Sequence, residues 1–341
     1  MSTFRPLVSI LINNYNYGRF LRDAIDSALN QTYRNTEVIV VDDGSTDGSR
    51  EIIASYGNRI VPVLKENGGQ ASAFNAGFAA SRGELICYLD SDDTWFSTKV
   101  AMVVEEARSS PGAALIYHRL QPVSADLQPI GSVVPAGVFR GDISARVKSS
   151  GGWWATAATS ALCFNRSIIH RIGKVPEGDF RIGADAYLCW IAPFLGRVLG
   201  MTNCLGLYRQ HGTNNFSGTF PGMTGVSAAE KLGWRRLFVE KALESINSKL
   251  EELQTGVTLD LRRHWGYRLY NHYLRIGRDT STLLLSWEAL RLPGEPSPTV
   301  RLRTAGGLLL HSCRLQRPLG QRDNAIQPVV SHASHDTWRG D

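Results

Sequence analysis

Paired cysteines are missing from this sequence. Its 341 residues include five cysteines, Cys87, Cys163, Cys189, Cys204 and Cys313, scattered and without a CxxC pair. This argues against a disulfide framework or a cysteine-based zinc site and makes a reducing compartment the expectation. A long apolar run is missing too. The opening MSTFRPLVSI moves directly into a strand-like segment, without the basic region and apolar stretch of a signal peptide. The most apolar later stretch, Ala186 to Gly200, is too short to cross a bilayer and carries Pro193 and Arg197. A soluble cytoplasmic protein, or one peripheral on the inner face of the cell membrane, is expected. The chain has no Walker A loop and no GxGxxG turn, so a nicotinamide cofactor has no support. It also has no recognisable nucleic-acid module.

What is present is globular: 43% hydrophobic and 20% charged residues, with 33 glycines gathered in turn-like clusters. Strand-like apolar runs at Leu7 to Ile12, Glu37 to Val41, Ile60 to Leu64 and Glu84 to Leu89 alternate with helical stretches at Gly18 to Leu29, Ser49 to Tyr56 and Gln70 to Ala80. This rhythm predicts a doubly wound α/β sheet, whose ligands bind at the carboxyl ends of the strands where the strand order switches. From about Val226 the texture becomes helical. Ser227 and Glu230 fit a capping box, and helices are expected through Leu253, over Thr258 to Arg278, and over Ser281 to Leu292.

The domains read as 1–225, the α/β unit; 226–318, a helical appendage; and 319–341, a polar, disordered tail. Charge follows this division. Residues 1–225 hold 20 Lys+Arg against 19 Asp+Glu, and residues 226–341 hold 17 against 12. The basic excess of the last third is either a solvated helical surface or an attraction to an anionic membrane face or phosphate-bearing acceptor. Dimerisation through these helices is the competing use.

Three polar clusters fall at strand ends, Asn13-Asn14-Tyr15-Asn16, Asp42-Asp43 and Asp90 to Asp93, and are expected to converge on one rim. Asp90-Ser91-Asp92 ends the fourth strand, and in an extended chain residues i and i+2 share a face. Two carboxylates there suit Mg²⁺ or Mn²⁺ on a substrate diphosphate, although acidic triplets also occur in solvated turns. Asp42 and Asp43 end the second strand, where a carboxylate can accept from ribose hydroxyls or a base N–H. Ser45 or Asp47 can also simply cap the next helix. Asn67-Gly68-Gly69-Gln70 leads into a helix containing Asn75. It reads either as a phosphate-approach turn or as a tight turn.

With these residues in view, the first part of the chain resembles a large family of inverting bacterial glycosyltransferases of the polysaccharide-biosynthesis type (family 2, GT-A fold). The strings are VSILINNYNYGRFLRDAIDSALNQTY, VIVVDDGSTDGS and NGGQASAFNAGFAASRGELICYLDSDDTW, then more loosely FRIGADAYL and LYRQHGTNN. They span roughly residues 6–215. The resemblance implies a Rossmann-like, mixed doubly wound sheet. It places Asn14, Tyr15 and Asn16 in the nucleoside pocket with Asp43 on the nucleoside and Asp42 beside it. Asn67, Gln70, Asn75 and Ser91 join the donor site. Asp90 and Asp92 become the metal and diphosphate residues, His211 the residue that closes on the diphosphate or metal, and Asp185 the general base.

Departures are visible at Ala184, where relatives carry Glu, at Phe74, where many carry Arg, and at Asn14. The expected activity is transfer of a sugar from a nucleoside-diphosphate donor, UDP first among them, to a glycan or lipid-linked acceptor hydroxyl, with Mn²⁺ or Mg²⁺. The alternative is a non-catalytic nucleotide-sugar-binding or scaffolding module. Trp153 and Trp154 are read as stacking on a sugar or as core packing.

Overall fold

The computed structural model describes residues 5–212, 214, 228–274, 282–292, 294–295 and 297–315. Ser227 and the tail 319–341 lie outside them.

The chain begins β1 (Val8–Asn14), α1 (Gly18–Leu29), β2 (Thr36–Asp43), α2 (Ser49–Ser55), β3 (Val61–Lys65), α3 (Gln70–Ala80) and β4 (Leu85–Asp90). The middle supplies β5 (Thr94–Trp95), α4 (Lys99–Ser109), β6 (Leu115–Val123), β7 (Arg140–Gly141), α5 (Ser144–Ser149), β8 (Leu162–Asn165), α6 (Arg166–Ile172), α7 (Ala184–Ile191) and β9 (Val198–Arg209). Helices α8 (Ala228–Glu252), α9 (Trp265–Leu274), α10 (Thr282–Leu290) and α11 (Pro298–Leu315) follow.

The sheet order is β3-β2-β1-β4-β8-β6-β9-β5, with β7 on β9. Strands β3, β2, β1 and β4 run parallel, and β8 enters antiparallel between β4 and β6. The order switches at β1, which has β2 on one side and β4 on the other, and the carboxyl ends at such a switch are where open α/β sheets bind ligands.

Alternation along the strands sorts the core into two layers. Val8, Ile10, Ile12, Val38, Val40, Leu85, Cys87 and Leu89 face α1, α2 and α4. Leu11, Ile39, Val41, Ile86 and Tyr88 face α3, α6 and α7. Continuing the alternation by one or two residues puts Asn14 and Asp42 on the first face and Asn13, Asp43 and Asp90 on the second.

The last third is less separate than its texture suggests. Val239, Ala242, Leu243, Ile246 and Leu250 of α8 belong to the same buried cluster as Leu11 and Phe180. A small second cluster joins Trp265, Leu285, Ala289, Leu292, Ala305 and Leu308. Trp154 is core: it is 3% exposed, packs edge-on to Tyr117 at 5.8 Å, and its indole N–H donates to the Cys189 carbonyl at 3.2 Å. Trp153 packs against the small cluster.

Candidate active site

The acidic segment at the end of β4 is a turn. The Asp93 N–H donates to the Asp90 carbonyl at 3.1 Å. The expected i, i+2 alternation therefore does not operate here. It is this β-turn that gathers Asp90, Asp92 and Asp93, whose oxygens lie within 4.8 Å of one another.

Asp93 differs from its neighbours. It is 1% exposed, and its two oxygens accept from the Ser160 hydroxyl at 2.6 Å and the Arg209 backbone N–H at 2.8 Å. It ties the turn to the segment before β8 and to the end of β9. Asp90 and Asp92 are the pair whose carboxyls could hold a cation. Burial, then Asp92 and Asp185, push the Asp90 carboxyl well above the usual carboxylate range. Like charges crowded in a dry site are stabilised by a divalent cation, and an all-oxygen set suits Mg²⁺ or Mn²⁺.

Asp185 lies in the first turn of α7. Gly183, in a left-handed conformation (φ 79°), is the N-cap, so Asp185 is not the capping residue. Its carboxyl is pushed up by burial, while neighbouring backbone N–H groups and the Thr159 hydroxyl pull the other way. Thr159 acts in the same sense on Asp90. Thr159, buried beside both carboxyls, has no signature in the sequence.

His211 closes over the turn. Its Nε2 is 3.0 Å from Asp92 Oδ2, and its Nδ1 is 2.9 Å from the Arg19 guanidinium. A guanidinium only donates, so Nδ1 accepts and the ring proton sits on Nε2, donating to Asp92. In this arrangement His211 holds Asp92 and presents no Nε2 lone pair to an ion. The phenols of Tyr17 and Tyr208 are pushed up, first by burial and then by the nearby Asp90, Asp92 and Asp93. Both stay protonated as possible donors.

The β2 end divides its two carboxylates between the two faces. Asp42 is fully buried and accepts from Asn14 Nδ2 at 2.9 Å, the Ser45 N–H at 3.1 Å and Arg50 Nε at 2.9 Å. Burial opposes its charge, but these hydrogen bonds outweigh burial and hold it below the usual range. Asp42 and Asn14 thus brace the turn. Asn16 (φ 57°) accepts from the Thr46 N–H at 2.8 Å and fastens the β1 loop to the same turn. Asp47 accepts from the Gly18 N–H at 2.9 Å, at the start of α1. Tyr15 is 47% exposed on the rim.

Asp43 accepts from Lys65 Nζ at 2.6 Å and from the Gly68 and Gly69 N–H groups at 3.0 and 2.7 Å. A carboxylate has about four acceptor positions, so one remains for a base or ribose donor.

The glycine turn is not a phosphate seat. Asp43 already occupies the Gly68 and Gly69 N–H groups, and those of Gln70 and Ala71 donate to the carbonyls of Arg181 and Phe180 at 2.8 and 3.2 Å. Gly69 (φ +87°) is required there, because a Cβ would meet Arg181 backbone at 2.7 Å. Asn67 donates to the Asp43 carbonyl at 3.0 Å and its Oδ1 accepts from Arg181.

Gln70 Oε1 accepts from the Gly183 and Ala184 N–H groups at 2.8 and 3.0 Å. It therefore caps the helix that carries Asp185 rather than pointing at the donor. Gln70→Ala should lower stability by roughly 1 kcal/mol and reduce kcat with little change in the donor KM, as steady-state kinetics would show. Asn75 is bound to the Val175 backbone at 2.9 Å on both its amide atoms, one and a half turns into α3. Ser91 is buried within the acidic turn.

Asn13 belongs to the polar cluster read at the end of the first strand, where the sequence assigns it no role of its own. It sits in register between Val41 and Asp90, and its Nδ2 and Oδ1, both buried, find no hydrogen-bond partner among the described residues. A buried orphan carboxamide is costly unless something fills it.

The strand ends thus carry a turn of acidic residues with a buried carboxyl near it, and comparisons with known proteins identify the family and the fold. The family described as "Glycosyl transferase family 2" matches residues 9–128. An uncharacterized glycosyltransferase of Nostoc sp. is 32% identical over 291 residues, covering 82% of this chain and 88% of that protein. The chain belongs to glycosyltransferase family 2. The Bacillus subtilis protein TuaG, named for teichuronic acid biosynthesis, is 38% identical over 109 residues, 31% of this chain and 43% of TuaG. The crystal structure of S. aureus TarS 1–349 with UDP-GlcNAc superposes at a TM-score of 0.52, with 14% identity, covering 89% of this glycosyltransferase and 92% of that TarS segment. The transferase has the GT-A fold. Among its described residues no helix is long and apolar enough to cross a membrane.

Proposed function

We propose that this glycosyltransferase moves a sugar, with inversion, from a nucleoside-diphosphate donor to a glycan or lipid-linked hydroxyl, in cell-surface glycan synthesis. The observation that supports it most is the shared face: Asp43, Asn13 and Asp90 line one side of the strand ends, and Asp185 comes close enough to Asp90 to raise its pKa. The UDP-GlcNAc bound by TarS supports a UDP-sugar donor, and the name of TuaG supports a cell-surface product.

The nucleoside would lie over Tyr15, with the open acceptor position of Asp43 on its base or ribose and the Asn13 carboxamide giving and accepting one hydrogen bond. Asp90 and Asp92 would hold Mn²⁺ or Mg²⁺, which when bound neutralises the leaving diphosphate. His211 would pass from Asp92 to the diphosphate once the donor is seated. Asp185 takes the proton from the acceptor hydroxyl as its oxygen attacks the anomeric carbon and the bond to the diphosphate breaks. Because attack is opposite the leaving group, configuration inverts.

The test is NMR of the product's anomeric centre with a panel of UDP-sugars and simple lipid-phosphate acceptors. An inverted linkage is expected; a retained one would contradict this assignment. Absence of both transfer and donor hydrolysis would favour a non-catalytic module. Asn13→Ala should weaken donor binding about 5- to 10-fold, the worth of one hydrogen bond of roughly 1 kcal/mol, without altering the fold. Calorimetry on the variant would read this directly.

A further inference from the structure

The helix α10 is apolar on two sides. Leu285 and Ala289 are buried against Trp265, Ala305 and Leu308. On the other side Leu284, Trp287 and Leu290 are 46%, 54% and 38% exposed, at three-residue spacing that forms one stripe. A helix apolar all round is normally covered all round. The one carboxylate of α10, Glu288, is ion-paired with Arg268 at 2.6 Å and adds no charge to that stripe.

The charge around the stripe identifies what covers it. Among the described residues from 261 to 315, the arginines are Arg262, Arg263, Arg268, Arg291, Arg301, Arg303 and Arg314, the carboxylates are Glu288 and Glu295, and there is no lysine; Arg262 and Arg263 pair with Asp260. Glu288 is paired and Glu295 is buried. Arg291 lies over the Trp287 ring at 4.2 Å, and α11 adds an exposed Arg303 beside Leu302, which is 64% exposed. A second copy of the chain would bring this positive region against itself and be repelled. An anionic lipid surface meets both features: a Trp–Leu stripe sits at the headgroup level, and guanidinium groups pair with lipid phosphates.

We infer that the outer face of α10 is a docking surface for an anionic bilayer, with Leu284, Trp287 and Leu290 entering the headgroup layer and Arg291 and Arg303 meeting phosphates. It stands apart from the donor site and holds whatever the donor proves to be.

The test is co-sedimentation of the full chain with phosphatidylglycerol-containing vesicles and with pure phosphatidylcholine vesicles, at low and high salt. Binding is expected to favour the anionic vesicles about ten-fold or more and to fall with salt. Leu284→Ser/Trp287→Ser and Arg291→Glu/Arg303→Glu should each lose most of it at unchanged melting temperature. Should these variants unfold, brominated phosphatidylglycerol provides a second reading: it should quench wild-type fluorescence measurably more than that of Trp287→Phe, which keeps the apolar face. Absence of vesicle binding by the wild type, binding that the variants retain, or quenching unchanged in Trp287→Phe would overturn the proposal. So would a dimer that Leu284→Ser/Trp287→Ser dissociates in the absence of vesicle binding, which would assign the face to a second copy.

Discussion

Replacing Asp185 by Asn should slow sugar transfer about 100- to 10,000-fold while leaving donor binding close to wild type. The amide keeps the shape of the carboxyl in the first turn of α7, and the helix start does not depend on it. Gly183 is the N-cap, and Gln70 accepts from the Gly183 and Ala184 N–H groups. What disappears is the carboxylate proposed to take the proton.

The pH dependence carries the same signature. Burial raises the Asp185 pKa above the ordinary value. A base acts only when deprotonated, so kcat/KM is full above that raised pKa and falls as the pH drops through it. The acidic limb should therefore lie above the roughly 3.9 of a free aspartate. The residual activity of Asp185→Asn should lack that limb. A full-rate Asp185→Asn enzyme would remove Asp185 from the chemistry.

The second large effect separates two adjacent aspartates. Asp92→Asn should lose transfer by about 100- to 1,000-fold and lose the metal dependence of donor binding, with little change in melting temperature. An Asn oxygen still accepts from His211 and Asn214, the present partners of Asp92 Oδ2 at 3.0 and 2.9 Å. Asp93→Asn should behave in the opposite way. Its oxygens accept from the Ser160 hydroxyl and the Arg209 N–H; an Asn whose oxygen stays on the Arg209 N–H would turn its N–H₂ to Ser160 and take away the acceptor of that hydroxyl. A loss of roughly 1–3 kcal/mol of stability is expected, with binding of metal and donor largely kept. Thermal melts and donor binding measured on both variants would check the contrast. Equal melts and equal binding losses would mean that all three carboxylates act as one ligand set.

The first hundred residues were legible because each strand there is followed by its own helix, so apolar runs of period two alternate with runs of period 3.6. Helices α1 and α3 begin and end where the spacing places them. The second half of the sheet lacks that rhythm. Strand β8 is four residues long and antiparallel, β9 pairs with three strands, and β6 reaches β9 through register shifts. Their positions depend on partners distant in sequence. Helix α11 was unread because Gly306-Gly307 interrupts its pattern, yet α10 packs along it.

The candidate site divides in the same way. Residue types at strand ends pointed to Asp43, Asp90 and Asp92, and the family resemblance pointed to Asp185 in the first turn of α7. Strand alternation then gave Asp42 to the bracing face and Asn13 to the donor face, a distinction that only the pairing register supplies. Gln70 looked like a donor residue because it opens the helix after a glycine turn; the loop from 180 to 184 folds over that turn and uses its side chain as a cap. Thr159 and Arg181 come from loops whose sequence carries no motif.

The central claim is that a divalent cation on Asp90 and Asp92 joins a nucleoside-diphosphate sugar to the carboxyl ends of the strands. Calorimetric titration of UDP-, GDP- and dTDP-sugars into the wild type and Asp92→Asn, with and without Mn²⁺, tests it most directly. Metal-dependent binding of one donor, lost in Asp92→Asn, is the expected result. Equal binding in the variant, or no binding of any donor to the folded wild type, would contradict it.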